Sequence, residues 1–534
     1  MNKPEFETLI DLLSHQAKYV PTNPAVQFGN QSIAYQDLWE GIRIFGANLL
    51  QLGLQSGDRV LLVLPNSIEF FYAFYGSQVA GGIAVPIFPN SGEKRVLNFA
   101  KLCGAKYIVL PTGLPIKLLS KFKSKANQQS LKLISVSEGL TPVPANSKNN
   151  FPGVQTNDIS FLQYTSGSTG NPKGVILTHE NLLTNIEQMI AGMEITKEDI
   201  FVSWLPVYHD MGLILKTMVP FYLGIKTTLL PTNLADIRPW FDTIQRIGGT
   251  FTAAPDFAYR LSLRHIKPSD YNLKSLRVAL NAAEPVRSTT LNEFQQAFGL
   301  SNVMVAGYGL AEATVGVSMW KPGTKNRIDD RGFVSVGKPF PQIDIKIIEN
   351  EEELPRGEIG EIQIKSPANA SGYFLNPDAT KETFSASGYM KSGDLGYLDK
   401  DGYLYIVSRR KNIIKRSGET IAPQEIEELV DQLPDVRYSA VIGVDRGDLE
   451  GEQVIVFTEI RNPNQKSETF LHQTIINLVA EIHRQFGFRP ARTFLLHPKS
   501  IPLTHNGKIQ HQNLKFIYLD GSLRASGAII YPEY

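Results

Sequence analysis

The sequence predicts an α/β protein. A large N-terminal domain would hold two α/β sheet subdomains and a small β subdomain, and a small α+β domain would end the chain. Three observations predict this. Helix-like and strand-like segments alternate over the first 110 residues. Apolar and polar residues alternate between short turns over 334–365. Beyond a basic stretch at 402–419, about 120 residues carry helix and strand patterns of their own. The length, 534 residues, suits three to four domains or subdomains at about 150 residues each.

The elements follow in order. MNKPEFETLIDLLSHQ has acidic residues inside its apolar pattern, so it reads as an amphipathic helix and not as a signal peptide. Tyr35 to Leu52 has helical spacing and stops before Gly53. RVLLVL (59–64) is strand-like, Ile68 to Gly81 is helical, and GIAVP (82–86) is strand-like again, as in βαβ units around a mostly parallel sheet. Pro65, Glu69 and the Gly81-Gly82 pair break the most apolar stretches before 18 apolar residues accumulate, so no transmembrane helix is expected. TPVPANSKNNFPG (141–153) reads as a surface loop or linker. A second α/β stretch runs from about Ile159 to Leu280, with strands in 201–206, 227–231 and 276–281. After Gly307, the segments VSVGKPF, IDIKIIE and GEIQIK suggest a small antiparallel β subdomain. In the last part, 422–433 and Thr469 to Phe486 read as helices, and 438–444 and 453–460 as strands.

Composition narrows the partners. Lys and Arg number 53 and Asp and Glu 52, a net charge of +1, which argues against a general polyanion binder, so no nucleic-acid partner is expected. Hydrophobic residues at 42% and charged residues at 20% are ordinary globular values. Cys103 is the sole cysteine; it can close no intrachain disulfide and rules out a Cys-based zinc site. A reducing cytoplasm is the natural compartment.

The most informative segment is LQYTSGSTGNPKGV (162–175). Thr165, Ser166, Gly167, Ser168, Thr169 and Gly170 alternate hydroxyls with glycines, and Lys173 follows. Glycines let backbone N–H groups point into one concavity, hydroxyls add donors, and a lysine brings positive charge to phosphate. A plain turn-making loop could have the same composition. The order excludes a Walker A loop, because Lys173 follows Pro172 and precedes Gly174.

The string resembles the phosphate loop of the adenylate-forming enzymes: acyl-CoA synthetases, fatty acyl-AMP ligases, nonribosomal peptide synthetase adenylation domains and luciferases. Other motifs of that superfamily follow in order over nearly the whole chain. NAAEP (281–285) resembles the adenine-side motif and GYGLAEAT (307–314) the Tyr-Gly-x-Thr-Glu motif. KSGDLGYLDKDGYL (391–404) resembles the Thr-Gly-Asp motif, SRRKNIIKRSG (408–418) the hinge, and LTHNGKI (503–509) the loop of the C-terminal catalytic lysine. The resemblance implies an N-terminal AMP-binding domain over 1–408, a mobile lid over 409–534, and a site between them.

What the resemblance implies for chemistry is attack of a carboxylate on the α-phosphorus of ATP, giving acyl-AMP and pyrophosphate, so charge must be neutralised where two anions meet. Lys508, Glu312 and Thr165 are the implied catalytic residues. Thr165, Ser166, Gly167, Ser168, Thr169 and Lys173 would hold the phosphates, and Glu312 with Thr165 would hold Mg²⁺, a hard cation that takes oxygen ligands. Ala283, Glu284 and Tyr308 would line the adenine slot. Asp394 would accept hydrogen bonds from the ribose hydroxyls, with Arg409 nearby, and Lys411 falls at the hinge. Ala311 stands where the superfamily often has Thr, so no phosphate contact is assigned to it.

Within the superfamily the likeness is greatest to fatty acyl-AMP ligases, through SWLPVYHDMGLI (203–214), APDFAYRL (254–261), NAAEPVR (281–287) and YGLAEAT (308–314). It implies a fatty acid as substrate, with His209, Asp210 and Met211 at the acid pocket. Trp204, Met211, Leu213, Ile214, Phe257 and Tyr259 would line an acyl tunnel, although each also suits an ordinary core. Asp210 coincides with the position where amino-acid adenylating domains keep an ammonium-binding Asp, so an amino-acid substrate stays open. Two features depart: fatty acyl-AMP ligases usually carry an extra segment before the Gly-Asp-Leu motif, and PDATKETFSASGYMKSGDLG (377–396) is short, as in acyl-CoA synthetases; the later SGETIAPQEIE (417–427) also resembles a CoA ligase. The expected acceptor is therefore a pantetheine thiol, on acyl carrier protein or on CoA. A nucleotide-binding relative without catalysis would lack Lys508 or Glu312, and both are present.

Overall fold

Two sheets rich in parallel strands carry most of the chain, and their strands are not collected in sequence order. The computed structural model describes residues 5–113, 122, 126, 130–144, 150–165, 172–232, 236–416, 419–445, 452–504 and 508–532. Ser166, Gly167, Ser168 and Thr169 lie outside the described residues.

The six-stranded sheet has the order Lys132–Ser135, Ala105–Leu110, Arg59–Leu62, Ile83–Pro86, Ile159–Thr165, Lys173–Thr178. Its strands are parallel except for the last pair, Ile159–Thr165 with Lys173–Thr178. The nine-stranded sheet has the order Lys338–Pro339, Ser318–Met319, Met304–Tyr308, Val278–Asn281, Phe251–Ala254, Phe201–Ser203, Thr227–Leu229, Pro24–Phe28, Gln31–Ala34.

Two expectations need correction. The strands at 159–178, expected in the second α/β stretch, complete the first sheet, while the N-terminal strands at 24–34 form an edge of the second. Pairing partners far apart in sequence leave no mark in local periodicity. Likewise VSVGKPF contributes Lys338–Pro339 to the edge of the nine-stranded sheet, pairing with Ser318–Met319, and not to a separate β unit.

The helix Ile68–Val79 shows why the two sheets form one body. Its first turn is capped by Ser67, whose side chain accepts from Phe70 N–H. It is mostly apolar, and Phe70, Phe71, Phe74 and Tyr75 are wholly buried. Such a helix must be covered on most sides. Phe74 meets Phe161 of the six-stranded sheet edge-on at 5.4 Å between ring centres. Phe71 meets Phe221, from the short helix Val219–Leu223, at 5.5 Å. Each ring so buried is worth about 1.5–3 kcal/mol. Cys103 is fully buried beside the first sheet, in a cluster with Leu61, Val85 and Ile108.

The chain packs as two units: Met1–Lys346, Gln363–Ser392 and Asp401–Leu404 form the first, and Ile347–Ile362, Gly393–Lys400 and Tyr405–Tyr534 the second. In the second unit, Ile348 pairs with Glu353 and Glu349 with Glu352 across Asn350 and Glu351. Both connecting residues have positive φ, 49° and 70°, as a tight two-residue hairpin requires. A four-stranded sheet follows, Val436–Asp445, Glu452–Ile460, Arg492–Leu496 and Ile529–Tyr531. Its two faces are sorted by residue parity. Val441, Val454 and Val456 pack with Ile426, Leu478 and Ile482 of the helices Pro423–Asp431 and Glu468–Phe486. Ala440, Ile442, Ile455 and Phe457 pack with Leu514 of the helix His511–Leu519. Among the described residues, no helix is long and apolar enough to cross a membrane.

Candidate active site

Thr165 and Lys173 sit directly opposite each other at the ends of two antiparallel strands, Ile159–Thr165 and Lys173–Thr178. The second strand is held on its other side too. Phe374 N–H donates to Gly174 O (2.8 Å), Ile176 N–H donates to Gly372 O (3.0 Å), and Val175 faces Tyr373 across an antiparallel bridge. Gly174 lies under the Tyr164 ring, where a Cβ would come within 2.8 Å.

Glu312 reaches the same place from the nine-stranded sheet. The strand Met304–Tyr308 ends at Tyr308, and a 3₁₀ turn, Ala311–Ala313, carries Glu312. Gly309 is needed between them, because a Cβ there would fall 1.7 Å from Val315 O. Ala370 N–H donates to Glu312 O (2.9 Å), which ties this turn to the segment that braces Gly174. The Tyr373 hydroxyl donates to Glu312 Oε1 at 2.8 Å, and the Lys173 ammonium lies over the Tyr373 ring, 4.7 Å from its centre. Lys173 and Glu312, far apart in sequence, thus share one side chain. Tyr373 was not among the expected residues; its signal in SGYFLNPDAT is a Gly-aromatic pair just before an Asn-Pro helix start.

The segment 281–287, expected on the adenine side, is tied down by a buried carboxylate that sequence reasoning also missed. Asp256 accepts from Asn281 Nδ2 (2.8 Å), Arg287 N–H (3.2 Å), Thr290 Oγ1 (3.1 Å) and Arg260 Nε (3.0 Å). Both ends of 281–287 are fixed this way. Between them Ala283 takes a left-handed φ of 72°, uncommon for a residue with a Cβ, and Glu284 Oε1 accepts from Phe257 N–H. Tyr308 is half-buried and pairs with Ser318.

The residues expected at the acid pocket open a π-helix, Met211–Met218, in which Val219 N–H donates to Ile214 O five residues back. π-Turns of this kind recur at functional sites. His209 Nδ1 lies 2.5 Å from Asp210 Oδ1, which also accepts from Met211 N–H at 2.7 Å. Gly212 is required, since a Cβ would sit 2.0 Å from Pro206 O. Gln163, two residues before Thr165, donates to Tyr208 O at 3.2 Å, so the strand ending at Thr165 and the segment leading to His209 meet. Trp204 is buried edge-on to Trp240 with no hydrogen-bond partner for its Nε1 among the described residues. Leu213 and Ile214 are fully buried, and Tyr259 donates to Leu280 O from a site without solvent, which marks it as core. The same π-helix buries Lys216, whose Nζ donates to Phe251 O (3.0 Å) between the rings of Phe201 and Phe251; burial pushes its ammonium well below the usual lysine range.

The remaining candidates belong to the second unit. Asp394 is nearly wholly buried and pairs with Arg409 Nε at 2.6 Å. Gly393, before it, has φ 72°, and its carbonyl accepts from Arg410 N–H. Lys411 O accepts from Gln512 Nε2 (2.7 Å), and Asn412 meets His511, which in turn contacts Glu427 at 2.7 Å. Lys508 is half-buried and bonded to Thr504: its N–H donates to Thr504 Oγ1 (3.1 Å), and its carbonyl accepts from Thr504 N–H (2.8 Å).

Among the described residues, no group of three or more His, Cys, Asp or Glu side chains is placed to hold a metal. A single carboxylate, Glu312, placed with Lys173 on Tyr373, fits Mg²⁺ that keeps its waters and takes further oxygens from a nucleotide.

Lys173 and Glu312, brought together on Tyr373, and the braced loop 281–287 stand on an α/β scaffold. The model of the AMP-binding enzymes matches residues 13–374. The medium-chain fatty acid–acyl-carrier-protein ligase JamA of Moorena producens (strain JHB) is 30% identical, over 98% of this chain and 97% of its own length. That alignment spans 579 positions, more than the 534 residues here, so JamA carries stretches this chain lacks. A solved structure from work on fatty acyl-adenylate ligases of E. coli and L. pneumophila superposes with a TM-score of 0.86 at 29% identity, covering 98% of this chain and all of that one. The McyG adenylation–carrier structure with phenylalanyl-adenylate superposes with a TM-score of 0.88 at 25% identity, covering 98% of this chain and 84% of that one. The chain belongs to the AMP-binding enzyme family.

Proposed function

We propose that this protein activates a medium- or long-chain fatty acid with ATP, releases pyrophosphate, and passes the acyl group from acyl-AMP to a pantetheine thiol. The observation that supports it most is the meeting of Lys173 and Glu312 on Tyr373 beside Thr165, in a chain alike over nearly its whole length to a fatty acid–carrier-protein ligase.

In this reading Lys173 and the Thr165–Thr169 segment take the β- and γ-phosphates, and the segment 281–287 with Tyr308 takes adenine. Glu312 and Thr165 would hold Mg²⁺, which would supply positive charge against the phosphates. Lys508 brings an ammonium to the carboxylate and α-phosphate as the new bond forms, and Lys411 is the hinge for the lid over 409–534. Asp394 accepts from the ribose hydroxyls, sharing its oxygens with Arg409. The fatty acid is favoured over an amino acid by Asp210. One of its carboxylate oxygens already faces His209 and caps the π-helix, so an ammonium would have to compete for it. The acceptor is either the carrier protein or CoA. Only residues 384–389 separate the helix Pro377–Thr383 from the strand Met390–Leu398, which leaves no room there for the extra segment of fatty acyl-AMP ligases.

ATP–pyrophosphate exchange across acids of increasing length tests the first step, with maximal exchange expected for fatty acids of medium or greater length. Thioester detection with CoA and with holo carrier protein tests the second. Strongest exchange with amino acids would overturn the fatty-acid reading, and thioester with CoA alone would remove the carrier.

A further inference from the structure

The segment 366–374 joins two parts of the candidate site. At one end Thr314 Oγ1 donates to Ala368 O (2.5 Å) and Ala370 N–H donates to Glu312 O. At the other, Gly372 and Phe374 pair with the strand that carries Lys173. Gly372 has φ 143°, and a Cβ there would lie 2.5 Å from Thr380 Cγ2. Thr380 Oγ1 accepts from Tyr373 N–H at 2.9 Å. The Tyr373 backbone is therefore fixed from both sides, and its side chain is 7% exposed.

Lys173 and Glu312 carry opposite charge, and left to themselves in a half-buried site they would attract each other into an ion pair. No such pair forms. The ammonium rests on the Tyr373 ring and the carboxylate accepts from its hydroxyl. We propose that Tyr373 is a positioning residue: its ring holds the Lys173 ammonium and its hydroxyl holds the Glu312 carboxylate, keeping cation and anion apart and available to nucleotide and Mg²⁺ respectively. The assignment rests on the adenylating function proposed above. The two halves of the side chain have separable duties, because a ring face attracts a cation without any hydroxyl and the hydroxyl alone bonds the carboxylate.

The test uses the full chain with Tyr373→Phe and Tyr373→Leu. ATP binding is measured by calorimetry with and without Mg²⁺, and exchange is measured as a function of Mg²⁺. Tyr373→Phe is expected to bind metal-free ATP as the wild type does, while the Mg²⁺ concentration giving half-maximal exchange rises about tenfold. Tyr373→Leu is expected to show that same shift and also to weaken metal-free ATP binding about three- to fivefold. Wild-type behaviour in both variants, or equal losses in all readouts that follow a common fall in melting temperature, would overturn the assignment. A wild-type protein that bound no ATP and exchanged no pyrophosphate would overturn the functional reading itself, a result distinct from variants that match an active wild type.

Discussion

Two lysines bracket the proposed chemistry, and they are mounted in opposite ways. Lys173 stands on a strand paired on both sides, opposite Thr165 on one and braced by the segment 372–374 on the other, with its ammonium over an aromatic ring. Lys508 is tied by its backbone N–H and carbonyl to Thr504, four residues away. The first mount is long-range and sheet-based; the second is local. A lysine that must meet the same phosphates in every encounter gains from a rigid mount, whereas one that acts in a single step can ride on a small element.

The largest expected effect separates the two duties. Lys508→Ala should lower acyl-AMP formation about 10²–10³-fold while ATP binding stays within about twofold, because a preorganised donor is lost from the transition state alone. Lys173→Ala should instead weaken ATP binding about tenfold, the worth of a charge-assisted phosphate contact. Calorimetry and single-turnover adenylation read the two quantities, and equal loss of binding in both variants breaks the comparison.

A medium effect tests the rigid mount from its far end. The strand carrying Lys173 ends at Thr178, which caps the helix His179–Gly192. His179 is fully buried, and its Nδ1 accepts from Leu9 N–H at 3.2 Å. Burial pushes its imidazole down to about 4, against a smaller upward pull from Asp158. Between that value and 6.5 the unfolded chain binds a proton that the folded chain does not, so stability is lost as pH falls through this window. The loss at pH 5 is about 2 kcal/mol relative to neutral pH. Denaturant unfolding should show it in the wild type and a flatter profile in His179→Gln; identical slopes would remove His179 from the account.

The smallest effect addresses the local mount. Thr504→Ala removes one neutral hydrogen bond to Lys508 and should slow adenylation about fivefold with little change in unfolding midpoint. A loss as large as that of Lys508→Ala would show the contact to be far more than a perch.

Much of the fold was legible because its cues are local. The helix Tyr35–Gln51, the strand Arg59–Leu62 and the helix Glu468–Phe486 lie within two residues of the bounds that apolar spacing and Gly53 or Gly487 suggest. Sheet membership was not legible, because the placing of 24–34 and 159–178 depends on partners far along the chain. The candidate site shows the same divide. Residues inside motifs, such as Lys173, Glu312 and Asp394, could be named from sequence. Tyr373 and Asp256 make their contacts with residues distant in sequence, and a Tyr in a short loop or an Asp opening a helix has many ordinary explanations. The π-helix at 211–218 also left no signature, since its extra residue per turn barely alters an apolar run.

The solitary Cys103 has a practical consequence. It is fully enclosed, and burial pushes its thiol up to about 11, so thiolate-seeking dyes will pass it by at neutral pH. A cysteine introduced at an exposed position in each unit would take label against a silent background, and the distance between two fluorophores could then be followed through a full turnover without stripping any native thiol.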